Sequence, residues 1–402
     1  MKELLPVLRQ AFPSANNYDT LATVVQANAE GHRVLVDDGQ QHDVFVKRVD
    51  ASSYAGKKSW PDFRRTLMYL RTEVRFYKEI APDLERRGFD AAPKIYYADC
   101  NLDGLIEEVE KATDQSVPEP TEWSADGKGG SIVMESFGEP YFQDSPITLD
   151  QAKETLSAVA GLHASAWGDA ELLEKSETWL SRGSYHLKTR NVKELAGMEQ
   201  AWENFRSNFG HLDPDLFGRT QDLGRRIQSL AEYISDQMSP GPTDPYATLS
   251  HGDFKSMNCF LPKKVGAHGV KLVDFASTGV GLGMSDVAMH IHHAILPEHL
   301  ANGGEEALLE HYLTCLNAQI GPEKCYPREV AMRHYRLAVA DYFRFFLGRF
   351  WKSATPEAFA KKKDSKNTAL INRNVDSALA FLNRVDDYVK EIEKERAAAS
   401  AS

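Results

Sequence analysis

Two periodicities divide the chain. Up to about residue 50, apolar and polar positions alternate, a spacing that predicts strands. Thr20 to Gln26, Arg33 to Val36 and Val44 to Val49 are the strand candidates, and Asp37-Asp38-Gly39 marks a turn between two of them. At period two Lys47 shares a face with Phe45 and Val49, an unusual place for an ammonium. From Asp62 to about Ile80 the period lengthens to that of a helix. Phe63, Leu67, Leu70, Val74 and Tyr77 recur three or four residues apart, Glu73 borders their stripe, and Pro82 is expected to close the helix. Lys94 to Ala98 and Ser131 to Glu135 read as two more strands. The acidic, Pro- and Gly-containing stretch 101–130 between them has no periodicity and reads as a surface loop or hairpin insertion.

Beyond Gly138 and Pro140 the pattern is mainly helical. Leu156 to Ala164 is a compact apolar helix, residues 191–238 carry further helical pattern, and helices resume from Ser285. A last helix is expected from about Thr368 to Arg396, with Ile371, Val375, Leu379, Leu382, Val385, Val389 and Ile392 on one face and a frayed tail, 397–402. Strands around one helix followed by many helices predict an α+β protein of two lobes. The N-terminal lobe is expected to span 1–138 and the helical lobe 139–402, with the lobe boundary near 136–146 and Glu135, Ser136 and Phe137 as the connector. The cleft between them is the expected ligand site.

Composition narrows the partners. A net charge of -11 disfavours nucleic acid. The four cysteines, Cys100, Cys259, Cys315 and Cys325, form no CxxC pair and suggest neither a disulfide framework nor a zinc site. The first residues lack the apolar run of a signal peptide, and no stretch approaches the roughly 18 apolar residues of a membrane span. A cytoplasmic protein is expected, with its oligomeric state open.

One stretch carries the chemistry: His251-Gly252-Asp253-Phe254-Lys255-Ser256-Met257-Asn258, followed by Lys271-Leu272-Val273-Asp274-Phe275. Phosphoryl transfer needs positioning, charge neutralisation and a base for the attacking hydroxyl. Asp253 would take or aim the hydroxyl proton. Asn258 and Asp274 offer the hard oxygens that Mg2+ prefers, and a hairpin of strands 258–261 and 270–274 would bring them together. Gly252 permits a tight backbone, and His251 would hold the loop through hydrogen bonds. Lys255 would neutralise the transferring phosphate or stand as a solvated lysine. Asp286 suits a helix start, brings a carboxylate behind the loop, and the two roles are compatible. Lys47, paired with Glu73, would meet the α- and β-phosphates of ATP, and Glu135, Ser136 and Phe137 would pass the adenine.

These residues resemble the aminoglycoside phosphotransferase and choline-kinase-like superfamily, in particular its CHK kinase-like, or ecdysteroid-kinase-like, branch. The resemblance rests on His251 to Asn258, Asp274-Phe275 and Asp286, with Leu162-His163-Ala164 and Trp167 similar to a recurring segment of the group. It implies a protein-kinase-like fold, and it likens Lys47, Glu73 and Met134-Glu135 to the small lobe of that group. Lys255 is protein-kinase-like and not typical of the choline kinases, and three further departures matter. Gly252 stands where protein kinases have Arg, no Gly follows Phe275, and no Gly-x-Gly-x-x-Gly precedes Lys47, Gln26 to Gly31 being the nearest candidate.

The expected activity is transfer of the γ-phosphate of ATP, with Mg2+, to a hydroxyl of a small molecule. An amine alcohol, an aminoglycoside, a sugar and a steroid-like alcohol all remain open as acceptor. The acidic balance would suit a cationic amine near Asp341, Glu305, Glu306 or Glu310, with Trp202, Phe343, Phe346 and Trp351 as aromatic walls. The alternatives are an inactive nucleotide-binding relative and a protein kinase. The second is opposed by the lack of an Ala-Pro-Glu-like segment after Asp274.

Overall fold

The structure, a computed structural model, describes residues 4–25, 28–107, 117–183, 185–187, 193–264 and 268–401. It is a two-lobed α+β fold. Five antiparallel strands build the small lobe: β1 (Asn17–Val25), β2 (Glu30–Asp37), β3 (Gln41–Asp50), β4 (Ile95–Asn101) and β5 (Gly129–Glu135), in the order β1-β2-β3-β5-β4. Gly39 closes the β2–β3 turn at a φ of 103°, a value that suits glycine. Alternation on β3 decides what each face meets. Val44 and Val46 lie buried with Val34, Val36 and Val133 beneath Leu8 of α1 (Leu5–Ala11). Val49 joins the main core on the other face, and Phe45 packs against that core.

That second face is covered by α2 (Trp60–Arg75), whose start is capped by the Ser59 hydroxyl accepting from the Asp62 amide. Pro82 does not end the helical run. The chain passes from α2 through a π-helical turn, Phe76–Ile80, into α3 (Ala81–Arg86), and Pro82 sits in the first turn of α3. A missing amide donor costs nothing there. The stretch 101–130 is also more than a surface loop. Residues 108–116 fall outside the described ones, but Leu102, Leu105, Ile106 and Ala125 are buried, and the Trp123 ring lies 5.3 Å from Trp60 and 5.2 Å from Phe63.

The large lobe begins with α4 (Leu149–Ala166), closed at its N-terminus by a capping box of Thr148 and Gln151. It continues through α5 (Ala170–Trp179), α6 (Lys193–Ala196), α7 (Met198–Phe209), α8 (Pro214–Arg219) and α9 (Leu223–Gln237). Its short strands are β6 (Tyr141–Phe142), nearest the connector, β7 (Thr248–Ser250), β8 (Cys259–Pro262), β9 (Lys271–Leu272) and β10 (Gly279–Gly281), with β8 paired to both β6 and β9. The remaining helices are α10 (Met284–Ala294), α11 (Pro297–Leu300), α12 (Gly304–Ile320), α13 (Arg328–Arg349), α14 (Pro356–Lys362) and α15 (Val375–Ala401). The last helix starts later than its apolar pattern suggests. Asn374 accepts from the Ser377 amide and so caps it, leaving Ile371 in a separate 3-10 turn, and the helix persists to Ala401 where fraying was expected. No described helix is long and apolar enough to cross a membrane.

Candidate active site

Asp286, in the first turn of α10, is the centre around which the site is built. Its carboxylate accepts the His251 amide at 2.6 Å and the Gly252 amide at 2.9 Å. It also meets the His163 Nε2 at 3.0 Å, and the Nδ1 of that ring lies 2.8 Å from the Tyr312 hydroxyl. With Nε2 donating to the carboxylate, Nδ1 accepts from the phenol. Asp286, His163, Tyr312 and His251 are all buried. Asp286 thus stands in the first turn of a helix and behind the loop at once. His163 and Tyr312 are site residues that sequence reasoning missed; the one signal is a histidine inside the apolar run Leu162-His163-Ala164.

The loop that Asp286 holds is tightly drawn. Gly252 has a φ of 79°, and a Cβ there would stand 2.1 Å from the Ser277 carbonyl oxygen, so only glycine fits. The His251 ring ties the loop to the returning strand: Nε2 lies 3.0 Å from the Val273 carbonyl, and Nδ1 accepts the Asp253 amide at 3.3 Å. The Asn258 Nδ2 donates to the Asp253 carbonyl at 2.8 Å and more weakly to its Oδ2 at 3.3 Å. The Lys255 ammonium meets the same Oδ2 at 3.1 Å, and this carboxylate holds the Lys255 pKa above its ordinary value against the effect of burial. The Asp253 Oδ1 has no hydrogen-bond partner among the described residues and remains available.

The hairpin pairs Cys259 with Leu272, so Asn258 faces Val273 and not Asp274, and the Val273 amide donates to the Asn258 carbonyl at 3.0 Å. Asp274 then leaves the strand in a left-handed conformation, φ 68° and ψ 57°. For a residue other than glycine this costs on the order of 1–3 kcal/mol and marks functional sites. The next residue pins the turn: Phe275 stacks on Phe76 with centroids 4.1 Å apart and planes 10° from parallel. Phe76 opens the π-helical turn below Glu73, so that irregularity joins the Asp274 segment to α2.

Lys47 links the two lobes. Its ammonium lies 2.6 Å from the Glu73 Oε2 and 2.8 Å from the Asp274 Oδ1. Burial disfavours the charge on Lys47, yet Asp274 and Glu73 outweigh it and raise the pKa. Burial raises the Glu73 pKa, only partly offset by Lys47. Burial works the same way on Asp274, but Lys47 and Lys255 overcome it and bring the value to about 2. Asp274 is thus ionised in any ordinary buffer. Its Oδ2 and the Asn258 Oδ1 carry no hydrogen bond among the described residues, which suits a pair of hard ligands for a divalent cation.

The connector is less open than its sequence suggests. Met134 is buried and paired with Phe45 and Ile95. Glu135 turns its carboxylate to the Lys94 amide at 3.3 Å, and Phe137 packs 5.0 Å from Phe260 on β8. The phosphate-covering candidate, Gln26 to Gly31, contains Gln26 and Ala27, which lie outside the described residues. The acidic and aromatic residues considered for the acceptor do not converge. Asp341 is bound by Arg344, Glu305 and Glu306 by Arg384, and Glu310 by Arg328, while Trp202, Phe343, Phe346 and Trp351 are core.

This is the two-lobed architecture of kinase-like phosphotransferases. The chain matches the ecdysteroid kinase-like family over residues 37–321, and it belongs to that family. No curated protein matches it. Among solved structures it is similar to a Ralstonia eutropha protein assigned as an aminoglycoside phosphotransferase, with a TM-score of 0.50, 14% identity, and coverage of 96% of this chain and 97% of that one. It is also similar to the aminoglycoside phosphotransferase of Alicyclobacillus acidocaldarius, with a TM-score of 0.48, 13% identity and coverage of 95% and 96%. The choline kinase of Streptococcus pneumoniae follows at a TM-score of 0.43, 11% identity and coverage of 97% and 98%. At 14% identity the likeness to the first of these speaks for the fold alone.

Proposed function

We propose that this protein transfers the γ-phosphate of ATP to a hydroxyl of a small molecule. The observation that carries the reading is the Lys47 ammonium held between Glu73 at 2.6 Å and Asp274 at 2.8 Å, beside a loop that leaves one Asp253 oxygen free. In this reading the cleft lies between lobes 1–138 and 139–402, and the backbone from Met134 through Glu135 to Phe137 borders the adenine. Lys47 keeps Glu73 and exchanges Asp274 for phosphate oxygens. Asn258 and Asp274 hold Mg2+, which supplies charge neutralisation on the phosphates.

The acceptor oxygen bonds to the γ-phosphorus as the bond from that phosphorus to the β–γ bridging oxygen breaks. Asp253 takes the hydroxyl proton and ADP leaves. Lys255, beside Asp253, offsets the charge on the moving group. His251, Gly252 and Asp286 act by fixing where Asp253 stands. The acceptor classes are those with a free hydroxyl: amine alcohols, aminoglycosides, sugars and steroid-like alcohols. A cytoplasmic location, where ATP and Mg2+ are plentiful, goes with this reading.

The test is an ATP-consumption screen over those four classes, with and without Mg2+, together with the melting temperature in Mg2+ and ATP. Magnesium-dependent ADP release with one class, and a rise in melting temperature, are expected. A rise without turnover in any class would favour the inactive nucleotide-binding reading, and neither effect would reject both.

A further inference from the structure

A cavity of about 340 Å³ in the helical lobe takes no part in this chemistry. That volume lies within the range of small-molecule sites. It opens on the far side of α10 from the catalytic loop. His290 stacks on Phe254 of that loop, with centroids 4.4 Å apart. His292 comes two residues later, about 200° around the helix. It lines the cavity with its ring 4.7 Å from Phe381. Ile295, Leu300 and Ile371 complete an apolar wall.

Most of the charge in the lining is already satisfied. The Glu305 carboxylate accepts the Tyr335 hydroxyl at 2.6 Å and meets the Arg384 Nε at 2.5 Å, and Glu306 lies 3.6 Å from Arg384 as well. Arg384 therefore has no charge to spare for an anion. Burial holds His292 neutral, with a pKa lowered to about 3. Two groups are left over. Asp387 is exposed in the lining and has no ion-pair partner among the described residues. Ser377 is buried in the wall, and its hydroxyl has no hydrogen-bond partner among the described residues. A buried hydroxyl left unpaired is costly unless something meets it.

We propose that this cavity is a second binding site, for a small organic cation whose ammonium sits beside Asp387 and whose apolar body lies against Phe381 and Ile371. Calorimetry without nucleotide compares three probes with one phenyl body: 2-phenylethylamine, 2-phenylethanol and phenylacetate. The amine binds best, exceeding the alcohol by up to about fivefold, as one exposed ion pair allows. Asp387→Asn removes the preference for the amine over the alcohol. Ala380→Trp, at an exposed position of the lining, abolishes binding of both. Asp253→Asn leaves all three isotherms unchanged, which separates this site from the cleft. Failure of the amine to bind overturns the proposal. So does phenylacetate binding as tightly as the amine, a preference surviving Asp387→Asn, or binding lost in Asp253→Asn. Should Ala380→Trp not fold, the Asp387→Asn comparison decides alone.

Discussion

The loop from His251 to Asn258 takes its shape from buried groups behind it, whereas Lys47 is held between a buried carboxylate, Glu73, and a part-exposed one, Asp274. Asp286, His163 and Tyr312 stand behind the loop, buried, and Asp286, backed by His163 and through it Tyr312, fixes two backbone amides. Lys47 has the buried Glu73 on one side and the part-exposed Asp274 on the other, and on the proposed reading the pair to Asp274 gives way to a phosphate oxygen. One wall is a fixed template. The other is a set of charges awaiting a partner. On the proposed reading this is the division that electrostatic preorganisation calls for: the group assigned to the reacting hydroxyl is rigid, and the groups assigned to phosphate trade partners.

The largest effect should come from breaking the template. Asp286→Ala leaves two buried amides and the His163 ring without their acceptor. A loss of about 3–5 kcal/mol is expected from removing one member of a buried charged network, measured by denaturant unfolding. A loss under about 1 kcal/mol would mean the loop is held by something else.

Acid should separate the helical lobe from the Glu73 side next. Burial lowers the pKa of His290 to about 4, of His292 to about 3 and of His334 to about 4, all in the helical lobe. The folded state keeps them neutral, while in the unfolded chain histidine titrates near pH ~6.5. Their stabilisation is therefore full above about pH 6.5 and is lost as the pH falls through the folded values. Each pH unit separating a folded from an unfolded value is worth about 1.4 kcal/mol. Glu73 runs the other way. Its raised pKa makes its contribution greatest below the ordinary carboxylate value and lost as pH rises through the folded value. Hydrogen exchange near neutral pH and about two pH units below it, corrected for intrinsic rates, should show the helical lobe losing protection and α2 beside Glu73 keeping it. Equal loss in both would remove the contrast.

The smallest effect is expected at Glu73 itself. Glu73→Gln removes a carboxylate that burial already disfavours, and Lys47 keeps Asp274. Stability should change by about 1 kcal/mol or less. A loss as large as that of Asp286→Ala would show Lys47 to be as rigidly built as the loop.

The template is the more legible wall in the sequence, because its residues from His251 to Asn258 are contiguous and their types state their chemistry. Lys47 and Glu73 are also readable, since a charged group on an apolar stripe stands out against period two or 3.6. What escapes are contacts between distant segments. The relay from Asp286 through His163 to Tyr312 joins α10, α4 and α12. The stacking of Phe275 on Phe76 depends on a π-helical turn that no local propensity announces. The expected meeting of Asn258 and Asp274 is one residue out of register, because the hairpin pairs Cys259 with Leu272 and so sets Asn258 opposite Val273. Pro82 misleads because a proline that stops one helix also starts another, and the sequence alone does not say which. Ile371 fits the apolar face of α15, yet Asn374 caps the helix after it.

Asp253 carries the proposed chemistry most directly. With an acceptor found in the screen, turnover of Asp253→Asn is compared with that of the unaltered protein, and nucleotide binding is measured in parallel. Turnover should fall by about 10²–10⁴-fold, the range attributed to a positioned base, while the affinity for ATP stays within about twofold. Turnover that is unaltered by the substitution would contradict the assignment of the base.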